Sequence, residues 1–406
     1  MASGKLDTPH FQKLKTDDLL RLETLFRDRG YEFRLVGGVV RDLLLGKVPK
    51  DVDIATDCTP DVMTKMFEER GIRYIETGLK HGTVTVHFDT GDYEITTLRV
   101  DKATDGRHAE VEFIRDWKTD ALRRDLTINS MSLTLDGVLH DYFDGQRHLA
   151  EKKILFVGDA RTRIREDYLR ILRYFRFYGR IVPEPDRHDV ATLEAIEEMV
   201  NGLKGISVER VWAEISKILT GNHAPHLVQL MYRLKVAQTI GLPDPGWLEE
   251  LEKVWKSMTD GCYQLKPVSL LVALVPTVDK TYRLAEAWKL SNSEKGLGVF
   301  LVQHRTVAYY LDTSFKYFQD LVVDSTPLAT VQELAYYCGR VEYAIRLSQW
   351  TVPSFPVNGT DLLSAGFKKG PIIGKLLGYL RQQWKESNFG LNRTELLALA
   401  KQYTCT

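Results

Sequence analysis

The chain has 406 residues, long enough for two to four domains with cores of their own. Hydrophobic residues make up 44% and charged residues 27%, the composition of a soluble globular protein, and a formal net charge of zero means that any footprint for a polyanion has to be local. Cys58, Cys262, Cys338 and Cys405 form no CxxC pair, which argues against a zinc site or a disulfide framework, and no apolar run approaches the roughly 18 residues of a membrane span.

In chain order, residues 1–15 are mixed in charge and lack the Arg-rich, acid-poor character of a transit peptide. A helix is predicted over 16–29. Then comes Leu35-Val36-Gly37-Gly38-Val39-Val40-Arg41-Asp42: a short apolar strand, a double glycine, and a helix with an arginine in its first turn. Glycines let a backbone approach phosphate closely, and Arg41 adds positive charge. Asp51-Val52-Asp53 follows about ten residues later. Side chains at i and i+2 of a strand share a face, so Asp51 and Asp53 are expected to converge. Paired carboxylates beside a Gly-rich cationic turn suggest Mg²⁺ held next to a nucleoside triphosphate.

Strands are predicted over 82–88 and 93–100. Glu94, in the second, is the candidate third carboxylate of a two-metal site, with a solvent-facing strand glutamate as the equal alternative. The polar stretch 101–109, containing Asp105, Gly106 and Arg107, reads as a mobile loop. Arg123 and Arg124 stand before the run 128–135, which is predicted to be a strand returning through Asp136-Gly137 to 140–143. Salt pairing with Asp120 or Asp125 is the bland account of these arginines, and grasping triphosphate is the sharper one.

From residue 160 onward the pattern is helical almost to the end. The densest cluster is 161–180, with seven arginines against Glu166 and Asp167 and with Tyr174 and Tyr178 interleaved. On a helical wheel Tyr168, Ile171, Leu172 and Phe175 gather on one side. Arg170, Arg173 and Arg176 form a ridge on the other, and Asp167 and Arg170 are i,i+3 neighbours. A solvated face is the usual meaning of such a run. An Asp–Arg pair can instead read a base edge, the carboxylate accepting from an exocyclic amine and the guanidinium donating to a ring nitrogen or carbonyl. Ser207 is a predicted N-cap, with Glu209, Arg210 and Glu214 read as structural salt bridges. Residues 366–401 hold seven Lys/Arg and two acids, with Tyr379 and Trp384 interleaved, and suit an RNA backbone or an ordinary basic helix pair.

The runs LVGGVVRDLLLG…DVDIAT, RRDLTINS, EDYLRILRYFRF and SVERVWAEI occur in an order that resembles the class II tRNA nucleotidyltransferases, the CCA-adding enzymes, and most of all their animal members. The resemblance covers at least residues 30–220. It implies an α+β fold: a polymerase β-like nucleotidyltransferase head (1–150), then an all-α neck (151–225), body (226–330) and tail (331–406). It implies template-independent addition of CCA to the 3′ end of tRNA from CTP and ATP, with Mg²⁺ on Asp51 and Asp53. Phosphate contacts would come from Gly37, Gly38, Arg41 and Arg124, and base reading from Asp167 and Arg170, with Arg173 and Arg176 completing the pocket. The stretch 101–109 matches the flexible loop linked to the switch from C to A addition. The partners implied are tRNA and the two nucleotides, with no membrane; the protein is expected to be a monomer or homodimer, located in mitochondria and also in cytoplasm and nucleus. The runner-up is a bacterial-type poly(A) polymerase, which shares head and neck but carries a Gly-Arg-Arg-Phe-like element where this chain reads Gly78-Leu79-Lys80-His81-Gly82.

Overall fold

The computed structural model describes residues 5–104, 109–243, 247–310 and 313–403. Two compact units are present: residues 1–245 with 287–289, and residues 246–286 with 290–406.

In the first unit α1 (Pro9–Leu14) precedes α2 (Asp17–Asp28), which starts where Thr16 accepts from the Leu19 N–H and buries Leu19, Leu22, Leu25 and Phe26 along one stripe. All four residues of β1 (Phe33–Val36) are buried, and the strand runs through Gly37 into α3 (Gly38–Leu44). Then follow β2 (Asp53–Thr56), α4 (Pro60–Glu69), β3 (Tyr74–Gly78), β4 (Thr83–Phe88), β5 (Gly91–Thr97), β6 (Arg99–Thr104), β7 (Ala109–Phe113), α5 (Trp117–Leu122), β8 (Ser132–Leu133) and β9 (Leu139–His140). Seven strands form one sheet in the order β3-β4-β5-β2-β1-β8-β9, while β6 and β7 form a separate ribbon. Only β2 and β5 are parallel; the other pairs are antiparallel. The β1–β2 register pairs Leu35 with Ile54, so β1 enters the double glycine at the edge of the sheet where Asp53 opens β2. The β2–β5 register sets Glu94 opposite Asp53. Topology alone thus brings turn and carboxylates together.

Several expected strands came out differently. The run 128–135 begins as a 3₁₀ turn, Thr127–Asn129, and only Ser132–Leu133 is strand. Local bonds win there: the Ser130 hydroxyl donates to the Thr127 carbonyl at 2.8 Å and the Asn129 N–H to the Leu126 carbonyl at 2.9 Å. The run 93–100 breaks at the fully buried Leu98, where the chain leaves the main sheet for the ribbon. The stretch 101–109, read as loop, is strand up to Thr104 and again from Ala109; Asp105, Gly106 and Arg107 lie outside the described residues. Strand β3 was missed because this exposed edge strand carries no alternating apolar pattern.

Among the described residues every named strand precedes residue 141, and helices follow: α6 (Gly145–Ala150), α7 (Ala160–Glu166), α8 (Leu169–Ile181), α9 (Val190–Met199), α10 (Val208–Leu219), α11 (Ala224–Arg233) and α12 (Val236–Thr239). The α+β expectation therefore holds. Ser207 is the N-cap position of α10, although its side chain accepts no capping bond.

The second unit is helical: α13 (Leu248–Asp260), α14 (Pro267–Val272), α15 (Val278–Ala287), α16 (Asn292–Tyr310), α17 (Phe315–Val323), α18 (Leu328–Tyr337), α19 (Val341–Gln349), α20 (Gly359–Ser364), α21 (Pro371–Glu386) and α22 (Arg393–Tyr403). Its C-terminal core joins Leu362, Leu376, Leu380, Trp384, Leu396 and Ala400. Trp384 is therefore a core residue and no RNA-facing aromatic. Among the described residues no helix is long and apolar enough to cross a membrane.

Candidate active site

Between the glycine turn and α8 lies a cavity of about 930 Å³. Gly37, Gly38, Arg41, Asp51, Asp53, Arg124, Asp167, Arg170, Arg173 and Arg176 all line it. Ten cationic side chains face five carboxylates around the cavity, although the whole chain is neutral. Such a lining favours a polyanion.

The turn requires glycine. Gly37 has φ +71 and ψ −119, a conformation L side chains rarely adopt, and a Cβ there would sit 3.0 Å from Nη1 of Arg124. The Arg124 guanidinium thus lies directly against the turn. Asp53 opens β2 while Asp51 sits in a bend just before it, so the two carboxylates meet in the cavity without sharing a regular strand. Neither has a hydrogen-bond or ion-pair partner among the described residues. Asp53 keeps an exposed surface, and partial desolvation on the cavity wall, the first cause, raises its carboxyl above the ordinary range; Arg124 pulls it back and Asp51 adds to the rise. Glu94 is raised too, by desolvation first and then by Asp53. Glu94 stands beside Asp53 in register but is not part of the cavity lining. Among the described residues no group of three His, Cys, Asp or Glu side chains is placed to hold a metal. What is present is a two-carboxylate site, the kind that binds a hard divalent cation together with phosphate oxygens and water.

Helix α8 supplies the opposite wall. Arg173 Nε donates to Asp125 at 2.6 Å, Arg176 to Glu214 at 3.0 Å, and Arg180 to Asp42 at 2.9 Å. Arg41 is almost fully buried, donates to Asp42 at 2.9 and 3.0 Å and to Asn129 at 2.5 Å, and lies 4.9 Å over the Phe177 ring. Arg176 and Arg173 also lie over that ring, at 4.8 and 5.5 Å. Asp125 is wholly enclosed; burial would raise its carboxyl, but the Arg173 charge and hydrogen bond outweigh it and hold it below the ordinary range. Each arginine is thus fixed by a carboxylate and keeps other N–H groups for a ligand. Arg123 and Arg124 both pair with Asp120, at 2.8 and 3.3 Å, so the bland account of these two holds alongside their place in the cavity.

The expected single Arg-rich helix is two helices. The chain breaks at Asp167, which is extended at φ −155 and ψ 105. Asp167 Oδ1 accepts from the Leu169 N–H at 3.1 Å and Oδ2 from Arg210 at 2.7 Å. Arg170 donates to Glu166 at 2.7 Å and to the carbonyls of Arg163 and Arg123 at 3.0 and 2.7 Å. Asp167 and Arg170 are therefore neighbours in the wall without being salt-bridged to each other. Two of the five N–H groups of Arg170, and one lone pair on each Asp167 oxygen, remain without a protein partner.

Tyr174 and Tyr178, interleaved among the arginines in sequence, are fully buried and do not line the cavity; Phe177 does. Sequence reasoning also missed Asp42, Lys50, Asp125, Asn129, Arg180 and Asn222 in the lining. The repeat of arginine every three or four residues up to Arg180 was the available signal. Glu209, Arg210 and Glu214 make the salt bridges foreseen, with Lys289, Asp167 and Arg176, and Arg210 lines the cavity as well.

A mixed-sheet head with paired carboxylates facing an arginine wall defines a nucleotidyltransferase. Residues 33–155 match the Poly A polymerase head domain, and residues 189–244 match the probable RNA and SrmB-binding site of polymerase A. Over 405 residues the chain is 50% identical to the mitochondrial CCA tRNA nucleotidyltransferase 1 of Homo sapiens, covering 98% of this chain and 93% of that protein. The Danio rerio protein of the same name is 47% identical, covering 98% and 94%. The crystal structure of the Bacillus stearothermophilus CCA-adding enzyme in complex with CTP superposes with a TM-score of 0.80 at 25% identity, covering 98% of both chains. This chain belongs to the CCA tRNA nucleotidyltransferase family. Its full-length relatives carry that name, and the poly(A) polymerase alternative is set aside.

Proposed function

We propose that the protein adds CCA to the 3′ end of tRNA, taking CTP twice and ATP once, with no nucleic-acid template. The tRNA 3′-hydroxyl oxygen attacks the α-phosphate, a new P–O bond forms, and the bond to pyrophosphate breaks. The observation that carries this reading is the joint lining of one cavity by Asp51 and Asp53 and by the Asp167–Arg180 wall. Divalent-metal dependence follows from membership of the nucleotidyltransferases; Asp51 and Asp53, hard oxygen donors without protein partners, would hold Mg²⁺, whose chemistry is to polarise the α-phosphate and acidify the attacking hydroxyl.

The chain's own residues do the rest. Gly37 and Gly38 let the triphosphate lie against the backbone, with Arg41 and Arg124 facing its oxygens. Cytosine and adenine each present an exocyclic amine beside a ring nitrogen, whereas uracil and guanine present a carbonyl beside an N–H. A carboxylate with a spare lone pair at Asp167 and spare N–H groups at Arg170 accept the first pattern and repel the second. Arg173 and Arg176, held by Asp125 and Glu214, keep the wall from rearranging around a wrong base. We take residues 1–150 as head, 151–225 as neck, 226–330 as body and 331–406 as tail. The names of the Homo sapiens and Danio rerio relatives support a mitochondrial location.

The test is incubation with tRNA lacking its CCA end and labelled nucleotides. CTP alone should add two residues and both nucleotides together should complete CCA and stop. Long A tails, or incorporation of UTP at a comparable rate, would overturn the reading.

A further inference from the structure

The break between α7 and α8 is gripped from one continuous segment, residues 200–210. The segment starts as a 3₁₀ turn, Val200–Gly205, and passes through Ser207 into α10. Its far end supplies Arg210, whose guanidinium donates to Asp167 Oδ2 at 2.7 Å. Its near end supplies Gly202, on which the ring of Tyr168 sits so closely that a Cβ there would lie 2.0 Å from Cδ1 and Cε1 and 2.3 Å from Cγ. These atoms run from the root of a rigid ring along one edge, not the end of a flexible side chain, so a side chain at 202 forces the whole Tyr168 ring to move. Gly202 has no positive φ, and its backbone conformation is open to any residue; what excludes a side chain is the ring alone. Tyr168 and Asp167 share a peptide unit, and the Asp167 carbonyl and Oδ1 accept the Arg170 and Leu169 N–H groups at 3.0 and 3.1 Å. Displacing the ring therefore carries along the carboxylate and the first turn that bears Arg170.

We propose that Tyr168 seated on Gly202 is a positioning device for base selection: with the Arg210–Asp167 pair it forms a two-point clasp that sets where the Asp167 carboxylate stands. Tyr168 does not line the cavity. It acts through Asp167, and the inference rests on the reading of Asp167 as a base-selecting group. The chemistry of the clasp suits that task. An ion pair alone lets a carboxylate swing about the axis of its partner, whereas a ring seated against a glycine holds the adjoining backbone. Displacement of a positioned group by about 1 Å is enough to cost on the order of a hundredfold in a reaction that depends on it.

The experiment measures, for the full chain, the ratio of incorporation efficiency for CTP over UTP and for ATP over GTP, together with tRNA affinity and the unfolding midpoint. Gly202→Ala inserts the methyl beneath the ring, and Tyr168→Ala removes the ring without crowding anything. Tyr168→Phe keeps the ring, whose hydroxyl has no partner among the described residues. Both alanine variants should lower the selectivity ratio about tenfold or more, with tRNA affinity within about twofold, and Tyr168→Phe should restore it. Asp167→Ala is the control. If Asp167→Ala loses selectivity while folded Tyr168→Ala or Gly202→Ala keeps it, the clasp is refuted and the Asp167 reading survives. If Asp167→Ala itself keeps selectivity, both fall. A fall in selectivity for Tyr168→Phe equal to that for Tyr168→Ala would also overturn the proposal, since the hydroxyl and not the seating would then matter.

Discussion

Asp53 and Asp125 show two opposite fates of a carboxylate in one cavity. Asp53 meets Asp51 with no protein cation paired to it, and its carboxyl rises above the ordinary range through desolvation first. A group whose pKa is raised on folding gives stability that is present at low pH and lost as pH climbs through the folded value. At neutral pH the metal-free fold therefore carries the cost of a partly desolvated carboxylate, to which Asp51 adds. Asp53→Asn should raise the unfolding midpoint of the metal-free protein at pH 7, with the gain shrinking when Mg²⁺ is added, while nucleotide incorporation falls by at least about a thousandfold and tRNA affinity is kept. A lower midpoint, or retained incorporation, contradicts the metal assignment. Asp125 is held the other way. Its pKa is depressed because Arg173 outweighs burial, so its contribution is present above the ordinary 3.8 and lost as pH falls below it. Arg173→Leu leaves that carboxylate enclosed and unpaired, and denaturant unfolding at pH 7 should register a loss of about 3 kcal/mol that narrows on acidification. An unchanged midpoint would show that Asp125 finds another partner.

At the scale of elements, sequence alone revealed what periodicity controls and lost what tertiary contacts control. The strand entering Gly37-Gly38 and the row of Arg170, Arg173 and Arg176 were legible, because a glycine turn and a three-residue advance are written locally. The break at Asp167 was not, since it depends on Asp167 accepting the Leu169 N–H and on Arg210 forty-three positions away. Neither was the burial of Tyr174 and Tyr178, whose polar ends are satisfied by distant groups: Tyr174 shares a hydrogen bond with His188 Nδ1 at 2.8 Å, and Tyr178 donates to the Glu184 carbonyl at 2.8 Å. The His188 ring stacks 3.8 Å from Tyr178. Burial, and then the neighbouring His226, push the His188 pKa down to about 4. The neutral ring packs α8 from behind, so its contribution is whole above the unfolded value of 6.5 and declines as pH falls toward about 4. His188→Phe should flatten the loss of stability between pH 6.5 and pH 4 relative to wild type. Parallel pH profiles for the two proteins would mean that the ring is not protonated on unfolding in that range.

On the scale of the whole molecule, a neutral chain concentrates its cations where a polyanion is handled. The cavity wall is one such place. Near the C-terminus, Lys368, Lys369 and Lys375 are exposed and make no ion pair among the described residues, whereas Arg381, Lys385 and Arg393 are tied to Val323, Asp324 and Asp361; we propose that these lysines are a second such place. Changing the three lysines to glutamate should weaken tRNA binding and flatten its salt dependence while leaving the KM for CTP near wild type. A selective rise in the CTP KM would place them at the nucleotide instead. In the proposed reading labour is divided inside the first unit: Asp51 and Asp53 would provide the chemistry, and Asp167 with Arg170 the choice of base. Single-turnover incorporation on tRNA lacking its CCA end, with all four nucleotides compared for wild type, Asp53→Ala and Arg170→Ala, tests it most directly. The account predicts near-zero incorporation of every nucleotide for Asp53→Ala, and for Arg170→Ala continued incorporation with the preference for CTP and ATP over UTP and GTP largely erased. Full preference retained by an active Arg170→Ala enzyme would contradict it.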